Sequence, residues 1–377
     1  MTLRARPLLV WVAALGLLMP LAARAQDPAA LFQFRLANPG ARSLGFGGAF
    51  AALADDATAA YANPAGLVQL VEPEISAEFR VTVFPSDVTQ SDRDATGLGF
   101  ASFVFPRKNW AVAVYDSQLA QVDTLFLGQL NLGPLFSSGT SGSVSVRNQG
   151  LAGSYRWNEK FSIGLGVSRF EGEFSATSEL SAEPPLSRFL QIRTDEDQDV
   201  TFNAGFLWHF APGWDLGGFF RQGPSFALAS DVVAGPTSEF PPPTTVLSTR
   251  TGIPLDLPNV YGLGVAYETK NGAMTASFEW DHIGPSAGFD AAEELHLGLE
   301  LLVLRTSPVL ALRLGLWHDP DRRADKSVVT PSLVPMGFDD WHTAIGVGVA
   351  FKSLKLDFAL DQSDRVDTFS LSMVYVF

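Results

Sequence analysis

The sequence predicts an all-β protein, a fourteen-stranded antiparallel transmembrane β-barrel. Three observations predict it. Greasy and small or polar residues alternate strictly along many segments, short turns alternate with long polar connections, and the chain opens on an export signal.

The alternation is clearest near the C-terminus. Trp341, Thr343, Ile345, Val347, Val349 and Phe351 share one face, and His342, Ala344, Gly346, Gly348 and Ala350 share the other. The same holds for Leu354, Leu356, Phe358 and Leu360 against Lys355, Asp357, Ala359 and Asp361. Phe202, Ala204, Phe206, Trp208 and Phe210 oppose Thr201, Asn203, Gly205, Leu207 and His209. Successive side chains of a strand point to opposite faces, so this period of two is a strand signature. A soluble sandwich would bury the greasy face, whereas a membrane barrel turns it to lipid and keeps a small or polar lumen. Several segments reach the roughly ten residues that a tilted membrane-spanning strand needs, which favours the barrel.

In chain order, Arg4 and Arg6 precede an apolar run from Leu8 to Ala23, and Ala23-Arg24-Ala25 forms an A-x-A-like cleavage site. Residues 1–25 are therefore expected to be a cleaved signal peptide. Residues 26–72 are rich in Ala and Gly and lack strand character. Strands are then expected to start near residues 73, 96, 109, 142, 160, 196, 214, 257, 273, 294, 308, 340, 353 and 367, so the barrel occupies residues 73–377. Short turns fall at Pro106–Asn109, Asn158–Lys160, Ala211–Gly213, Thr269–Gly272, Arg305–Pro308 and Lys352–Ser353. Longer loops fall at Pro85–Ala95, Gly128–Gly142, Phe174–Gln198, Phe226–Leu257, Ile283–Glu293, Pro320–Asp339 and Gln362–Val366. Short periplasmic turns and long external loops are the pattern of an outer-membrane barrel, so the expected location is the outer membrane of a Gram-negative bacterium. The last strand carries Phe369, Leu371, Met373, Tyr375 and Phe377 on one face, and resembles the closing strand that the barrel-assembly machinery reads.

Composition narrows the function. Charged residues make up 18% of the chain and hydrophobic ones 46%. With no cysteine there is neither a disulfide framework nor a thiol nucleophile. The histidines, at positions 209, 282, 296, 318 and 342, lack metal-ligand spacing, and no metal or cofactor is expected. Removing the three signal-peptide arginines takes the net charge from −14 to −17, which repels nucleic acid.

Four motifs invite chemistry. Gly284-Pro285-Ser286-Ala287-Gly288 spells G-x-S-x-G, but the hydrolase elbow needs a strand before the Ser, a helix after it, and His and Asp partners. Gly45-Phe46-Gly47-Gly48 follows no strand, which rejects a dinucleotide fingerprint. Asp195-Glu196-Asp197-Gln198-Asp199 reads as a solvated loop face, with a divalent-cation site as the sharper alternative. Asp319-Pro320-Asp321-Arg322-Arg323-Ala324-Asp325 reads as a mixed-charge loop whose Arg pair would meet lipopolysaccharide phosphates. No Ser–His pairing at sensible spacing emerges, so an enzyme is not expected.

The segment between signal and barrel carries a resemblance. Asn38-Pro39-Gly40-Ala41-Arg42-Ser43-Leu44-Gly45-Phe46-Gly47-Gly48-Ala49-Phe50 is followed by Ala54-Asp55-Asp56-Ala57, Ala60-Tyr61 and Asn63-Pro64-Ala65-Gly66-Leu67. This resembles the N-terminal plug of the FadL family, outer-membrane channels for long-chain fatty acids and other hydrophobic compounds. The pattern is also similar to that of PorV-like proteins of the type IX secretion system. Leu257-Pro258-Asn259-Val260-Tyr261-Gly262-Leu263-Gly264-Val265-Ala266-Tyr267 resembles a mid-barrel strand of the same superfamily. The resemblance implies that residues 26–72 form a plug inside the barrel, and that a small hydrophobic ligand passes without cofactor or ATP and exits sideways into lipid. Under that reading Phe46, Phe50, Leu53 and Tyr61 are candidate ligand-lining residues on the plug. Leu132, Leu135 and Phe136, with Leu130, are candidates for an external catch site. Asn63, Pro64, Ala65 and Gly66 form either a structural turn that locks the plug or its gate, since Asn bonds its own backbone and Pro fixes φ. The alternative is a PorV-like interaction or shuttle protein with a sealed lumen, to which the C-terminal strand pair is at least as close. Outer-membrane lipid and lipopolysaccharide are expected around either.

Overall fold

The computed structural model describes residues 37–84, 93–131, 136–182, 188–236, 245–286, 289–322, 339–364 and 366–377; the expected signal peptide lies outside them. Sixteen strand segments build one antiparallel sheet closed on itself. They are β1 (Glu74–Phe84), β2 (Arg93–Pro106), β3 (Trp110–Asn131), β4 (Phe136–Asn158), β5 (Phe161–Ala182), β6 (Arg188–Ala211), β7 (Trp214–Arg221) and β8 (Ser225–Pro236). There follow β9 (Thr245–Asp256), β10 (Val260–Glu268), β11 (Met274–Ile283), β12 (Ala292–Val303), β13 (Val309–Asp319), β14 (Asp340–Ala350), β15 (Leu354–Gln362) and β16 (Asp367–Val376). Pairing of β1 with β16 closes the ring, from Glu74 opposite Val376 to Val83 opposite Asp367.

The register shows that four of these segments are two wall strands. β6 pairs with β7 up to Asn203 opposite Arg221, and with β8 from Thr194 opposite Ser230. Arg221 of β7 faces Val260 of β10, and Ser225 of β8 faces Asp256 of β9. Each step keeps one register, so β7 continues into β8 and β9 into β10, interrupted at Gln222-Gly223-Pro224 and Leu257-Pro258-Asn259. Proline has no N–H for a ladder and glycine weakens one, which accounts for both interruptions. Counted this way the wall has fourteen antiparallel strands, as the sequence predicts.

The faces also fall as the alternation requires. Leu312, Leu314 and Leu316 point outward, while Arg313, Gly315 and Trp317 point into the barrel. Aromatic rings gather outside at the short-turn end, where Trp214 lies 4.8 Å from Tyr267 and 6.4 Å from Phe210. A second group, Phe202, Phe220 and Tyr261, sits nearer the long-loop end. An apolar exterior with aromatic girdles is the surface of a membrane barrel.

Three expected long loops are largely strand. β4 begins at Phe136, β5 runs on to Ala182, β6 begins at Arg188, and β8 with β9 forms a hairpin inside Phe226–Leu257. These extensions are rich in Ser, Thr, Gly and Asp on both faces, as in Ser137-Ser138-Gly139-Thr140-Ser141. Above the lipid neither face needs to be greasy, so the period-two contrast vanishes while the backbone ladder persists.

Residues 37–72 lie within the wall. They form α1 (Ala41–Gly45), α2 (Ala59–Ala62) and a 3₁₀ helix (Pro64–Gln69). The side chain of Asn63 accepts the Ala65 N–H, and Pro64 sits at the first turn, which caps the 3₁₀ helix. α1 packs on β13–β16 and the 3₁₀ helix on β2–β6. The fit depends on small wall residues. A Cβ on Gly205 would stand 2.0 Å from Asn63 Oδ1, one on Gly217 2.1 Å from the Ala51 carbonyl, and one on Gly315 2.2 Å from the Gly47 nitrogen. The inward glycines are thus the footprint of the inner segment.

Candidate functional site

Along the wall, the seam beside β6 parts in mid-strand and then resumes. Between the Asn203–Arg221 and Thr194–Ser230 pairs, residues 195–202 of β6 and 222–229 opposite have no ladder pairing, although register is unchanged on either side. A single backbone bond remains at the lower edge, from the Gln222 N–H to the Phe202 carbonyl at 3.0 Å. Higher up, side chains replace the ladder. Asp199 accepts the Ser225 N–H at 2.8 Å, and Asp197 accepts the Ala227 N–H at 2.6 Å. Residues 195–199 are therefore strand rather than loop, and the Asp197 and Asp199 carboxylates bridge a split. On its other side β6 stays paired to β5 through this stretch.

Behind the split is a cavity lined by Tyr61, Tyr115, Phe170, Phe202, Arg221 and Pro224 among others. Its free volume is about 20 Å³, room for a water and far too little for a hydrocarbon. The Tyr61 ring comes from α2 and meets Tyr115 edge-on at 6.2 Å, and Phe100 stacks on Tyr115 at 6.1 Å. Tyr115 and Ser168 share a hydroxyl bond of 2.7 Å. The Arg221 guanidinium lies 4.8 Å from the Tyr61 ring centre and 4.2 Å from that of Phe219, and donates to Asn38 at 3.3 Å. Phe226 of β8 is fully buried, and its ring lies over Gly172 of β5, behind β6. This side of the lumen is apolar: Leu67, Val68, Val104, Ala113 and Ala152 join the same cluster.

The far side of the inner segment is ionic. Arg42 of α1 bonds Asp55 and reaches Glu300 at 3.3 Å; Arg313 bonds Glu300 and Asp357, each at 2.6 Å. Burial alone would lower the Arg42 pKa, but Asp55, Glu300 and Asp56 together raise it above its ordinary value. Nearby, Asp361 accepts from Trp317 at 3.1 Å and bonds His342 at 2.8 Å.

The sequence-predicted residues are spread over both sides. Tyr61 lines the cavity. Phe46 packs over Gly298 and Phe50 lies under Arg42, both buried away from it, while Leu53 is half-buried and its carbonyl accepts from Gln69 at 2.7 Å. Asn63 donates to the Ala51 and Phe206 carbonyls at 2.8 and 3.0 Å, so it ties the inner segment to the wall; Pro64, Ala65 and Gly66 are buried beside it. Leu132, Leu135 and the side chain of Phe136 lie outside the described residues. Ser286 sits in a tight turn with Phe289, not on a strand-to-helix elbow. Arg322 is buried against Phe289 rather than offered to lipopolysaccharide, and Arg323 lies outside the described residues.

Sequence reasoning missed Tyr115, Arg221, Phe226 and the split itself. A signal was present: Gly223-Pro224 and Pro258 stand in the middle of wall strands, where proline normally argues against a strand.

No family model and no curated protein matches the chain. Solved structures do. The CymD monoaromatic hydrocarbon channel is similar at TM-score 0.67 and 14% identity, over 92% of this chain and 99% of that one. A FadL homologue of Pseudomonas aeruginosa gives TM-score 0.67 and 14% identity, over 92% of this chain and 100% of that one. The Pseudomonas putida toluene transporter TodX gives 0.64 and 14%, over 90% and 98%. The chain has the FadL-type fold. It is an outer-membrane-type barrel shared with channels for hydrophobic compounds.

Proposed function

We propose that the protein is a channel of the Gram-negative outer membrane for passive uptake of small hydrophobic compounds, with the inner segment as a plug and the β6–β8 split as a lateral exit. The observation that carries this is the split: eight residues of β6 lose their ladder partners where a small cavity, lined by aromatic rings together with Arg221, Asn148 and Asn203, ends against the wall. A lateral exit needs a gap that polar groups can cover without a continuous ladder, because unpaired backbone exposed to hydrocarbon costs several kcal/mol per group. Asp197 and Asp199 supply that cover. The similar folds of a toluene transporter and a monoaromatic hydrocarbon channel support small aromatic compounds as cargo, with long-chain fatty acids as the other class proposed. In this state the cavity is too small for cargo, so transport requires Tyr61 or Phe226 to move. In this reading the passage needs no nucleotide and no catalytic chemistry. Export through a cleaved signal and insertion by the barrel-assembly machinery through Phe377 complete the reading.

The absence of cysteine allows a clean test. Asp199→Cys with Ser225→Cys places two thiols opposite each other across the split. Oxidation is expected to cut the flux of a fluorescent hydrophobic probe in liposomes at least about tenfold, and reduction to restore it. Unchanged flux in the oxidised protein would refute the lateral exit. A second reading, a sealed-lumen interaction protein like the PorV branch, is favoured by the filled lumen. It predicts no probe flux in any state and a stoichiometric partner in pull-downs from solubilised membranes.

A further inference from the structure

The geometry points to a divalent transition-metal site, of the Zn²⁺ class, on the lumen face of β11 and β12, formed by Asp281, Glu294 and His296. Asp281 and Glu294 are directly opposite in the ladder, and His296 is one pair further along the same face. Like charges directly opposite each other destabilise a sheet, so this pair calls for a cation between them. Oxygen and nitrogen atoms of all three residues lie within 4.8 Å of one another. The His296 Nε2 stands 3.6 Å from a Glu294 oxygen and 4.0 Å from an Asp281 oxygen. Ligands of a tetrahedral ion at roughly 2.1 Å stand about 3.4 Å apart, so the two His296 separations would close by about 0.2 and 0.6 Å and the widest pair of the cluster by up to about 1.4 Å.

His296 is prepared as a ligand. Its Nδ1 donates to the Gly47 carbonyl at 2.8 Å, which holds a proton on Nδ1 and turns Nε2 toward the carboxylates. A backbone carbonyl holding the far nitrogen is the usual outer support of a metal-bound imidazole. The ring plane is fixed by Trp317, stacked at 5.5 Å, which itself stacks on His342 at 3.9 Å. His296 and Asp281 are both more than nine-tenths buried, and His296 Nε2 and Asp281 Oδ1 have no hydrogen-bond partner. One imidazole with two carboxylates suits Zn²⁺, whereas Ca²⁺ takes six to eight oxygens. The site does not depend on the transport reading. Its consequence is mechanical: the ion would lock the imidazole that holds Gly47, and with it the inner segment. No pair spacing along the chain reveals it, because the ligands meet across a ladder.

The test uses full-length protein in detergent, stripped with chelator and titrated with Zn²⁺ against a competing fluorescent chelator. One ion per chain is expected, with at least about tenfold weaker binding in Glu294→Gln and in His296→Gln, each checked for a folded barrel by heat-modifiable gel migration. An anomalous-scattering peak between the three side chains of the wild-type protein is expected independently of the variants. Binding no tighter than millimolar, wild-type affinity in both folded variants, or an anomalous peak elsewhere would overturn the site. If the variants fail to fold, the wild-type peak decides.

Discussion

The inner segment is held by opposite chemistries on its two sides. Toward β12–β15 it is gripped by charge, through Arg42, Glu300, Arg313 and Asp357. Toward β2–β4 its Tyr61 and Leu67 pack on an apolar bed of Phe100, Val104 and Tyr115. Buried ion pairs tolerate little displacement, because an uncompensated charge in low dielectric is costly. Apolar packing is non-directional and can re-form after a shift. Under the proposed function, anchoring falls to one side and ligand passage to the other, where the cavity and the split lie beside Tyr61 and Tyr115.

The largest effect is expected from breaking the grip. Arg313→Met removes two short bonds and leaves Asp357 without its cation, at a cost of roughly 3–5 kcal/mol. Denaturant unfolding of the refolded barrel measures it; a loss below about 1 kcal/mol would mean that the ionic side does not anchor. On the apolar side, Leu67→Ala removes a fully buried side chain and is expected to cost about 2–4 kcal/mol. Here stability and transport should part. The cavity it opens adjoins the bed, so probe flux should rise even as the barrel weakens. A fall in flux in proportion to stability would erase the distinction between the two sides.

Much of this was legible in the sequence, and the exceptions have physical causes. Strand starts at Trp214, Asp340 and Asp367 coincide with those expected, because lipid enforces a greasy face and the alternation reports it. The upper halves of β4 and β5 were read as loop, because outside lipid nothing enforces that contrast. Gly205 stands in the alternation as a small residue, but only the packed segment reveals that it admits the Asn63 side chain, and that Gly217 and Gly315 admit backbone atoms of Ala51 and Gly47. The charged grip could not be paired in advance, since Arg42 and Glu300 are 258 residues apart and meet only in the closed barrel. The split was hidden because it keeps register: a parted seam leaves the sequence pattern of a paired one.

Smaller effects sharpen the boundary between the two sides. Asn63 bridges them, donating to Ala51 within the segment and to Phe206 on the wall. Asn63→Ala leaves two carbonyls and the Ala65 N–H without that partner, for a cost of about 1–3 kcal/mol. If Asn63 is only a lock, a hydrogen-exchange measurement should show faster exchange throughout residues 59–70 with probe flux unchanged or raised. If it is part of the gate, flux should fall while exchange elsewhere in the segment is unaltered.

The smallest change in stability should come with a clear change in transport. Asp199→Asn and Asp197→Asn each keep the shape of the side chain and weaken one charge-assisted bond across the split, to Ser225 and Ala227 respectively. These groups are partly exposed, so each should cost less than about 1 kcal/mol. The seam is the one place among the described pairings where side chains stand in for a run of ladder bonds, so even this loss should raise the frequency with which it opens. Faster probe flux in the double variant, with unfolding midpoints close to wild type, is the expected result. An equal loss on the ionic side would leave the proposed exit as it was, whereas here it falls on two of the bonds that span the seam.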